Sequence, residues 1–219
     1  MTNPRSRARW TPPRALVGLL VLAACAAPLR TPEATMQTRP LPVPAEDPSS
    51  SLWGFRDAEG AWELSPRWDL VQPFTAGGIA AVVDRDGWRY VDRAGHTAIA
   101  RPWIVDNAPD AFQEGLARAV EGDRFVFFDE AGRVVLQTPF AYAEPFAEGL
   151  APVCDGCTPE RVGEHLRFVG GRWGYLDHAG QVVIPCRYDE ATGFDGGTAR
   201  VRLDGRWFSI DPAGRPVVE

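Results

Sequence analysis

The chain has 219 residues, enough for one or two domains, and its hydrophobic content of 45% is sufficient for a packed core. Twenty-two glycines and twenty prolines predict many turns and few long helices. The formal net charge is −6, and removal of residues 1–24, with four arginines and no acidic residue, lowers it to −10. So acidic a surface is unsuited to phosphate binding, and we expect no nucleic-acid partner.

Residues 1–24 have the pattern of a signal peptide. Four arginines precede or begin the apolar segment ALVGLLVLAA (15–24), which is too short to span a bilayer comfortably. The sequence Leu22-Ala23-Ala24-Cys25 resembles a bacterial lipobox, and this resemblance implies cleavage before Cys25 and lipidation of that cysteine. Ordinary cleavage at the A-x-A match of residues 24–26 is the alternative.

The same segment predicts where the protein resides. Ala26 follows the cysteine where an aspartate could stand, which resembles the pattern of outer-membrane lipoproteins. We therefore expect a lipid-anchored protein of the bacterial cell envelope, in the outer membrane and on its periplasmic or surface face. The acidic chain would be repelled by anionic headgroups, so the lipid would have to supply the membrane attachment.

Residues 25–51 are predicted to be the lipidated cysteine followed by a disordered tether. Residues 26–51 contain six prolines and almost no large apolar side chains. Such a composition favours a semi-extended linker that holds the folded domain away from the membrane.

Between residues 52 and 219 one pattern occurs five times: a short aromatic-rich segment that ends in Asp-x-x-Gly. The segments begin at Trp53, Trp88, Phe125, Trp173 and Trp207. The turns are Asp57 with Gly60, Asp92 with Gly95, Asp129 with Gly132, Asp177 with Gly180, and Asp211 with Gly214. Their glycines are 35, 37, 48 and 34 residues apart, a spacing typical of repeat architectures.

Each Asp-x-x-Gly predicts a tight hairpin. The aspartate carboxylate can bond the backbone amide two residues on, and glycine takes the left-handed position that ends a three-residue loop with a bulge. A second pattern recurs between the hairpins, as FTAGGIAAV (74–82), FQEGLARAV (112–120), FAEGLAPV (146–153) and FDGGTARV (194–201). One unit is thus predicted to be a meander of about three short strands.

The segment RWGYLDHAGQVVIPCRYDEATGF (172–194) resembles the WG-repeat (KWG) family of bacterial proteins. The copies at 88, 125 and 207 depart from the family pattern, because their aromatic residue is followed by Arg, Val or Phe instead of Gly. The resemblance covers residues 52–219, about four and a half repeats, and implies an architecture more than an activity.

We therefore expect an all-β domain of tandem short antiparallel strands and hairpins in an open twisted array. A closed propeller-like ring is the alternative, but the period is short for a propeller blade, and residues 26–51 show no strand to complete the first unit. Small units must build their core between neighbours, so the five leading aromatic residues are predicted to pack between repeats. A binding strip of exposed aromatic rings is the alternative.

The 48-residue spacing contains an insertion near residues 154–171, with Cys154-x-x-Cys157 and His165. Cys186 follows in the next unit, where the family pattern usually has Pro. In an oxidising compartment a disulfide is expected, either Cys154 with Cys157 or one of them with Cys186. A zinc site of Cys154, Cys157, His165 and Cys186 and a thiol-disulfide redox role are the alternatives.

No motif of a nucleophile elbow, a phosphate-binding loop or a metalloprotease occurs in the sequence. We therefore expect a protein without catalytic residues or cofactor, namely a membrane-anchored interaction or scaffold module. Its partner would be another envelope protein or a cell-wall component. The alternative is an envelope enzyme, using either the Cys154-x-x-Cys157 pair for redox chemistry or turn carboxylates for carbohydrate chemistry.

Overall fold

The computed structural model describes residues 39–163 and 165–217. The predicted signal peptide, Cys25 and the first part of the predicted tether lie outside the described residues. All secondary structure in the described part is β-strand and turn, which confirms the all-β expectation. It contains no helix long and apolar enough to cross a membrane.

Sheet 1 includes residues that the sequence analysis assigned to the tether. The sheet has three antiparallel strands in sequential order: β1 (Val43–Asp47), β2 (Leu52–Arg56) and β3 (Trp62–Trp68). The prediction of a disordered linker through residue 51 is wrong for Val43–Asp47, which pairs along its whole length with β2. Pro44 is tolerated there because β1 is an edge strand, where a missing N–H leaves no pairing unmet.

Sheet 2 shows the full form of the unit, four antiparallel strands in sequential order. They are β4 (Leu70–Val71), β5 (Ile79–Asp84), β6 (Gly87–Asp92) and β7 (Thr97–Ile99). The very short first strand follows directly on the last strand of the sheet before it. The unit therefore has one strand more than the predicted three.

Sheet 3 is preceded by a small hairpin that the repeat pattern does not predict. The hairpin consists of β8 (Ile104–Val105) and β9 (Ala108–Pro109), joined by Asp106 and Asn107 with φ values of +48° and +78°. The sheet itself consists of β10 (Leu116–Glu121), β11 (Arg124–Asp129) and β12 (Val134–Gln137). A single bridge between Pro102 and Ala119 stands in place of the short first strand.

Sheet 4 carries the insertion. Its first two strands are β13 (Tyr142–Ala143) and β14 (Leu150–Asp155). The inserted hairpin follows as β15 (Thr158–Val162) and β16 (His165–Val169). The sheet then continues with β17 (Arg172–Asp177) and β18 (Val182–Tyr188). In the sheets on either side, the corresponding central strands are joined by only two residues, 122–123 and 204–205.

Sheet 5 repeats the four-stranded order with β19 (Glu190–Ala191), β20 (Ala199–Leu203), β21 (Arg206–Ile210) and β22 (Pro216–Val217). No strand of sheet 1 pairs with sheet 5 within the described residues, and the arrangement agrees with the expected open array.

The core lies between the sheets. In β5, Ala80 and Val82 belong to one buried cluster with Phe55 of sheet 1. Their neighbours Ile79 and Ala81 belong to a second cluster, shared with sheet 3. Alternate residues of a strand point to opposite faces, so sheet 2 is buried on both sides. A third cluster joins sheets 3, 4 and 5.

The five leading aromatic residues do not share one environment. Phe125 and Trp173 are buried in the third cluster, and Trp53 and Trp88 are partly buried against the first and second. The prediction is wrong for Trp207, whose side chain is 42% exposed. Within the described residues, no further sheet packs on the face of sheet 5 that carries Trp207.

All five Asp-x-x-Gly turns have one geometry. Each aspartate Oδ1 accepts hydrogen bonds of 2.8–3.1 Å from the backbone N–H groups two and four residues later. Each glycine has φ between +75° and +85°, in the left-handed region. Four of the glycines also touch the preceding sheet: a Cβ on Gly180, for example, would lie 2.5 Å from Leu136 Cδ1.

Gly174, which follows Trp173, is required by a close approach of the neighbouring strand and not by a turn. A Cβ on Gly174 would lie 2.5 Å from the carbonyl oxygen of Ile184 and 2.7 Å from the amide nitrogen of Cys186. The register between β17 and β18 shifts at this point, because β18 bulges across the glycine. Gly54 of sheet 1 meets Leu64 and Pro66 in the same way. The Trp-Gly pair thus permits close passage of the next strand.

Candidate functional site

A groove lies between the two hairpins that are not part of the repeats. It consists of two adjoining recesses of about 490 Å³ and 590 Å³, which share Tyr142, Glu144 and Leu166 in their linings. The first recess reaches the β8–β9 hairpin at Trp103 and Ile104, and the second follows β16 to sheets 4 and 5. Recesses of this size are typical of binding sites for small ligands and inserted side chains.

Four exposed apolar side chains stand in the walls of the groove, whose lining is otherwise largely polar. Ile104 and Val105 of the first hairpin are 39% and 44% exposed, and Leu166 and Val169 of the inserted hairpin are 43% and 38% exposed. Exposed apolar side chains are unremarkable when scattered, but a group of four around one groove indicates a contact surface.

An aromatic cluster holds the inserted hairpin against the array. Phe168 of β16 stacks on Tyr142 of β13, with ring centroids 3.7 Å apart and planes 15° from parallel. Trp103 lies 4.8 Å from Phe125 and 5.9 Å from Phe168 between ring centroids. Such ring pairs add about 0.5–1.5 kcal/mol each beyond area burial, so the hairpin is fixed to sheets 3 and 4.

The floor of the groove is an ionic triad. Arg118 is only 3% exposed, and its Nε donates to Asp110 Oδ2 at 2.6 Å. Its Nη1 donates to Glu144 Oε2 at 3.2 Å and to the carbonyl oxygen of Ala143 at 2.8 Å. Burial opposes the charged guanidinium, but the bonds to Asp110 and the charge of Glu144 outweigh it and raise the pKa of Arg118. The triad has two carboxylates for one guanidinium.

Tyr142 completes the floor as a neutral donor. Its hydroxyl donates to Glu144 Oε1 at 2.7 Å. Burial, with the nearby charge of Glu144, raises the pKa of Tyr142 far above its usual value, so the phenol keeps its proton. Glu144 therefore receives one hydrogen bond on each oxygen, and its side chain is still 35% exposed.

The repeat itself generates this triad. Asp110 and Glu144 occupy equivalent positions, each two residues before the phenylalanine of the second repeated pattern. Arg118 stands in β10 where sheet 2 has the buried Ala81. An arginine inside a strand that is otherwise buried is a signal the sequence contains, but its two partners become apparent only from the packing of sheet 3 on sheet 4.

The cysteines of the insertion form the local disulfide. Cys154 and Cys157 are bonded, with Cα atoms 5.7 Å apart, and both are buried. The bond closes the base of the inserted hairpin beside Gly170 and Gly171, whose φ values are +72° and +63°. Cys186 is not in a disulfide, and burial raises the pKa of its thiol. Pairing of Cys186 with Cys154 or Cys157 is thus wrong for this structure.

The four candidate zinc ligands are not assembled. Two of them, Cys154 and Cys157, form the disulfide and cannot bind a metal as thiolates. The side chain of His165 lies outside the described part. Among the side chains that the structure describes, no group of three histidine, cysteine or acidic residues could hold a metal ion.

These features define a β-repeat protein: five small antiparallel sheets packed in series, with two added hairpins that form a groove. Three segments of the chain match the family model for a WG containing repeat, at residues 53–88, 127–156 and 173–207. These three segments are thus similar to the WG repeat, as the sequence pattern indicated. No curated protein matches the chain in sequence.

Proposed function

We propose that this WG-repeat chain is a membrane-anchored lipoprotein that acts as a non-enzymatic interaction or scaffold module in the bacterial cell envelope. The groove supports this proposal most strongly. Its walls come from hairpins added to a regular scaffold, and binding residues are commonly found on such additions because the scaffold keeps them in place. The four exposed apolar side chains have no role in the repeat packing.

The proposed anchor rests on the sequence. The apolar segment that ends at Cys25 resembles a lipoprotein signal, and residues 26–38 are left as spacer before the described domain. With 18 arginines and 27 acidic residues between residues 39 and 217, the domain would be held near anionic lipid only by its anchor.

The acidic residues of the turns support a non-enzymatic role. In all five repeats the aspartate Oδ1 is committed to two backbone amides, so these carboxylates stabilise turns. The Cys154–Cys157 disulfide also differs from an active redox pair. Both cysteines are at most 4% exposed; Cys154 lies in β14 and Cys157 just after it, away from any helix N-terminus of the kind that lowers a thiol pKa.

The proposal is tested by cross-linking intact cells that express the tagged full chain and identifying the proteins or wall fragments that copurify. Two variants accompany the wild type: Cys25→Ser for the anchor, and a double substitution of Ile104→Ser with Leu166→Ser for the groove. We expect a reproducible envelope partner that is reduced in both variants.

Val182→Ser with Val183→Ser is the matched control, because these side chains are also 46% and 44% exposed but lie on β18, outside the groove linings. Membrane association and lipid labelling unchanged in Cys25→Ser would refute the anchor. Capture that is equal in the groove and control variants would refute the groove as the contact surface.

A further inference from the structure

The ionic triad in the floor of the groove has one more acidic than basic group, and Arg167 and Arg202 line the second recess beside it. Arg118 neutralises one of its two acidic partners, so the triad with Asp110 and Glu144 has a net charge of −1. Asp110 and Arg118 are buried and pair with each other, so the excess charge falls on Glu144. The imbalance faces the groove, because Glu144 is the exposed member and lines both recesses.

We propose that the groove binds a lysine side chain of a partner protein, with its ammonium group at the Glu144 carboxylate. This inference rests on the proposed interaction function and specifies its partner. A cation bound there would balance the triad, and it would find a carboxylate that still has unused lone pairs after its bonds to Tyr142 and Arg118.

The walls fit the rest of a lysine side chain. Leu166 and Ile104 line the recess above Glu144 with aliphatic surface, and Trp103 and Tyr142 add aromatic surface. A four-carbon stem can pack on such walls while its ammonium reaches a charged floor, and aromatic rings nearby attract a cation. Asp106, on the tip of the β8–β9 hairpin, adds a second carboxylate to the same lining.

The geometry favours an ammonium over a guanidinium. Arginine binds carboxylates best with two parallel hydrogen bonds, one to each oxygen. Arg118 already bonds one oxygen of Glu144 and Tyr142 bonds the other, so a fork would have to use the one remaining lone pair on both oxygens at once. A single-point donor meets no such restriction.

The ligand must come from another kind of molecule. The chain contains no lysine, so neither its own residues nor those of a second copy can supply the side chain. The net charge of −6 for the whole chain would also attract basic segments of a partner over distance.

The inference is tested on the full chain in detergent with three small probes: the N-acetyl methylamides of lysine, arginine and norleucine. Binding is measured by chemical-shift changes of the tryptophan indole signals and by calorimetry. We expect the lysine probe to bind at least about tenfold more tightly than norleucine, a difference of about 1.4 kcal/mol. The arginine probe should bind more weakly than lysine.

Glu144→Gln keeps the shape of the floor and removes its charge, so it should abolish the preference for lysine. Glu148→Gln is the control, because Glu148 lies in the same loop but bonds Gly197 N at 2.9 Å, away from the groove. Equal binding of lysine and norleucine, or an unchanged lysine affinity in Glu144→Gln, would overturn the inference.

A groove-dependent partner captured from cells by a chain that shows no lysine preference would overturn this inference alone. Lysine binding without any captured partner would count against the interaction function alone. If Glu144→Gln proves unstable, Asp106→Asn provides a second charge removal on an exposed turn, and lysine affinity should fall there as well.

Discussion

Replacement of Gly174 by alanine tests why a glycine follows the tryptophan in this repeat. The new Cβ would lie 2.5 Å from Ile184 O, 2.7 Å from Cys186 N and 2.9 Å from Cys186 Cα. All three atoms belong to the backbone, so no side-chain rotation can relieve the contact. The bulge of β18 would have to move away from β17.

The expected cost follows from these contacts. Overpacking against a rigid neighbour costs about 1–3 kcal/mol, and each β17–β18 hydrogen bond lost adds about 1 kcal/mol. Alanine recovers about 0.4–1 kcal/mol by restricting the unfolded chain. We therefore expect a net destabilisation of about 2–3 kcal/mol.

The assay is urea denaturation followed by tryptophan fluorescence, with Gly60→Ala as the matched variant. Gly60 has φ of +85°, but its Cβ would meet no atom within 4 Å. The free energy of unfolding of Gly60→Ala should therefore fall by only about 1 kcal/mol. This is the cost of a left-handed alanine less the gain from restricting the unfolded chain. If Gly174→Ala lowers the free energy of unfolding by no more than Gly60→Ala does, at equal m-values, the close approach of β18 does not explain why glycine follows the tryptophan.

Four further outcomes follow from the structure. Trp173→Ala should destabilise by about 3–5 kcal/mol and Trp207→Ala by about 1 kcal/mol or less, because only Trp173 is buried; urea midpoints at equal m-value check the difference. The Arg89 hydrogen bond, opposed by burial, lowers the pKa of Asp84 from 3.8 to about 2. Because the pKa of Asp84 is lower in the folded chain than in the unfolded chain, ionised Asp84 stabilises the fold above about pH 4. This contribution, about 1 kcal/mol or less for a partly exposed pair, is lost as the pH falls from about 4 to 2. Asp84→Asn should flatten stability over that pH interval, and a carboxyl NMR titration midpoint near 3.8 would contradict the reasoning. The Cys186 thiol, with its raised pKa, should be alkylated by iodoacetamide at pH 7.5 more slowly than in the urea-unfolded chain, and equal rates would show a freely ionising thiol.

Local chemistry made the turns predictable. The Asp177 carboxylate bonds two nearby backbone amides, and Gly180 adopts a positive φ without steric conflict. Both properties are local, so they do not depend on the rest of the fold. The strands next to these turns were accessible for the same reason, since aromatic and β-branched residues alternate along them.

The missed elements lack such a signal. A strand of two residues, such as Leu70–Val71, has no period to detect, and its existence depends on the neighbouring β5. Val43–Asp47 has a composition typical of a linker and becomes a strand because β2 presents an open edge. Tertiary pairing overrides weak local preference in both cases.

The groove could not be predicted from the sequence because its residues come from different repeats. Glu144 and Asp110 are 34 residues apart, and only the stacking of two repeats brings both to Arg118. The exposure of Trp207 has a related cause: its position in the repeat is equivalent to that of Trp173, but burial depends on whether another sheet packs against it. Sequence periodicity can identify equivalent positions, but it does not reveal which of them will have a neighbour.

The position of the insertion shows where this architecture accommodates additional residues. Residues 156–171 take the place of a two-residue connection, and their ends are held together by the pairing of Asp155 with Arg172. The same connection exists in sheets 2, 3 and 5, at residues 85–86, 122–123 and 204–205, and each is anchored by a paired residue on either side. Each of these turns is thus equivalent to the position that carries the insertion in sheet 4. We expect a hairpin inserted at any of them to leave the pairing of the central strands intact, as the insertion does in sheet 4.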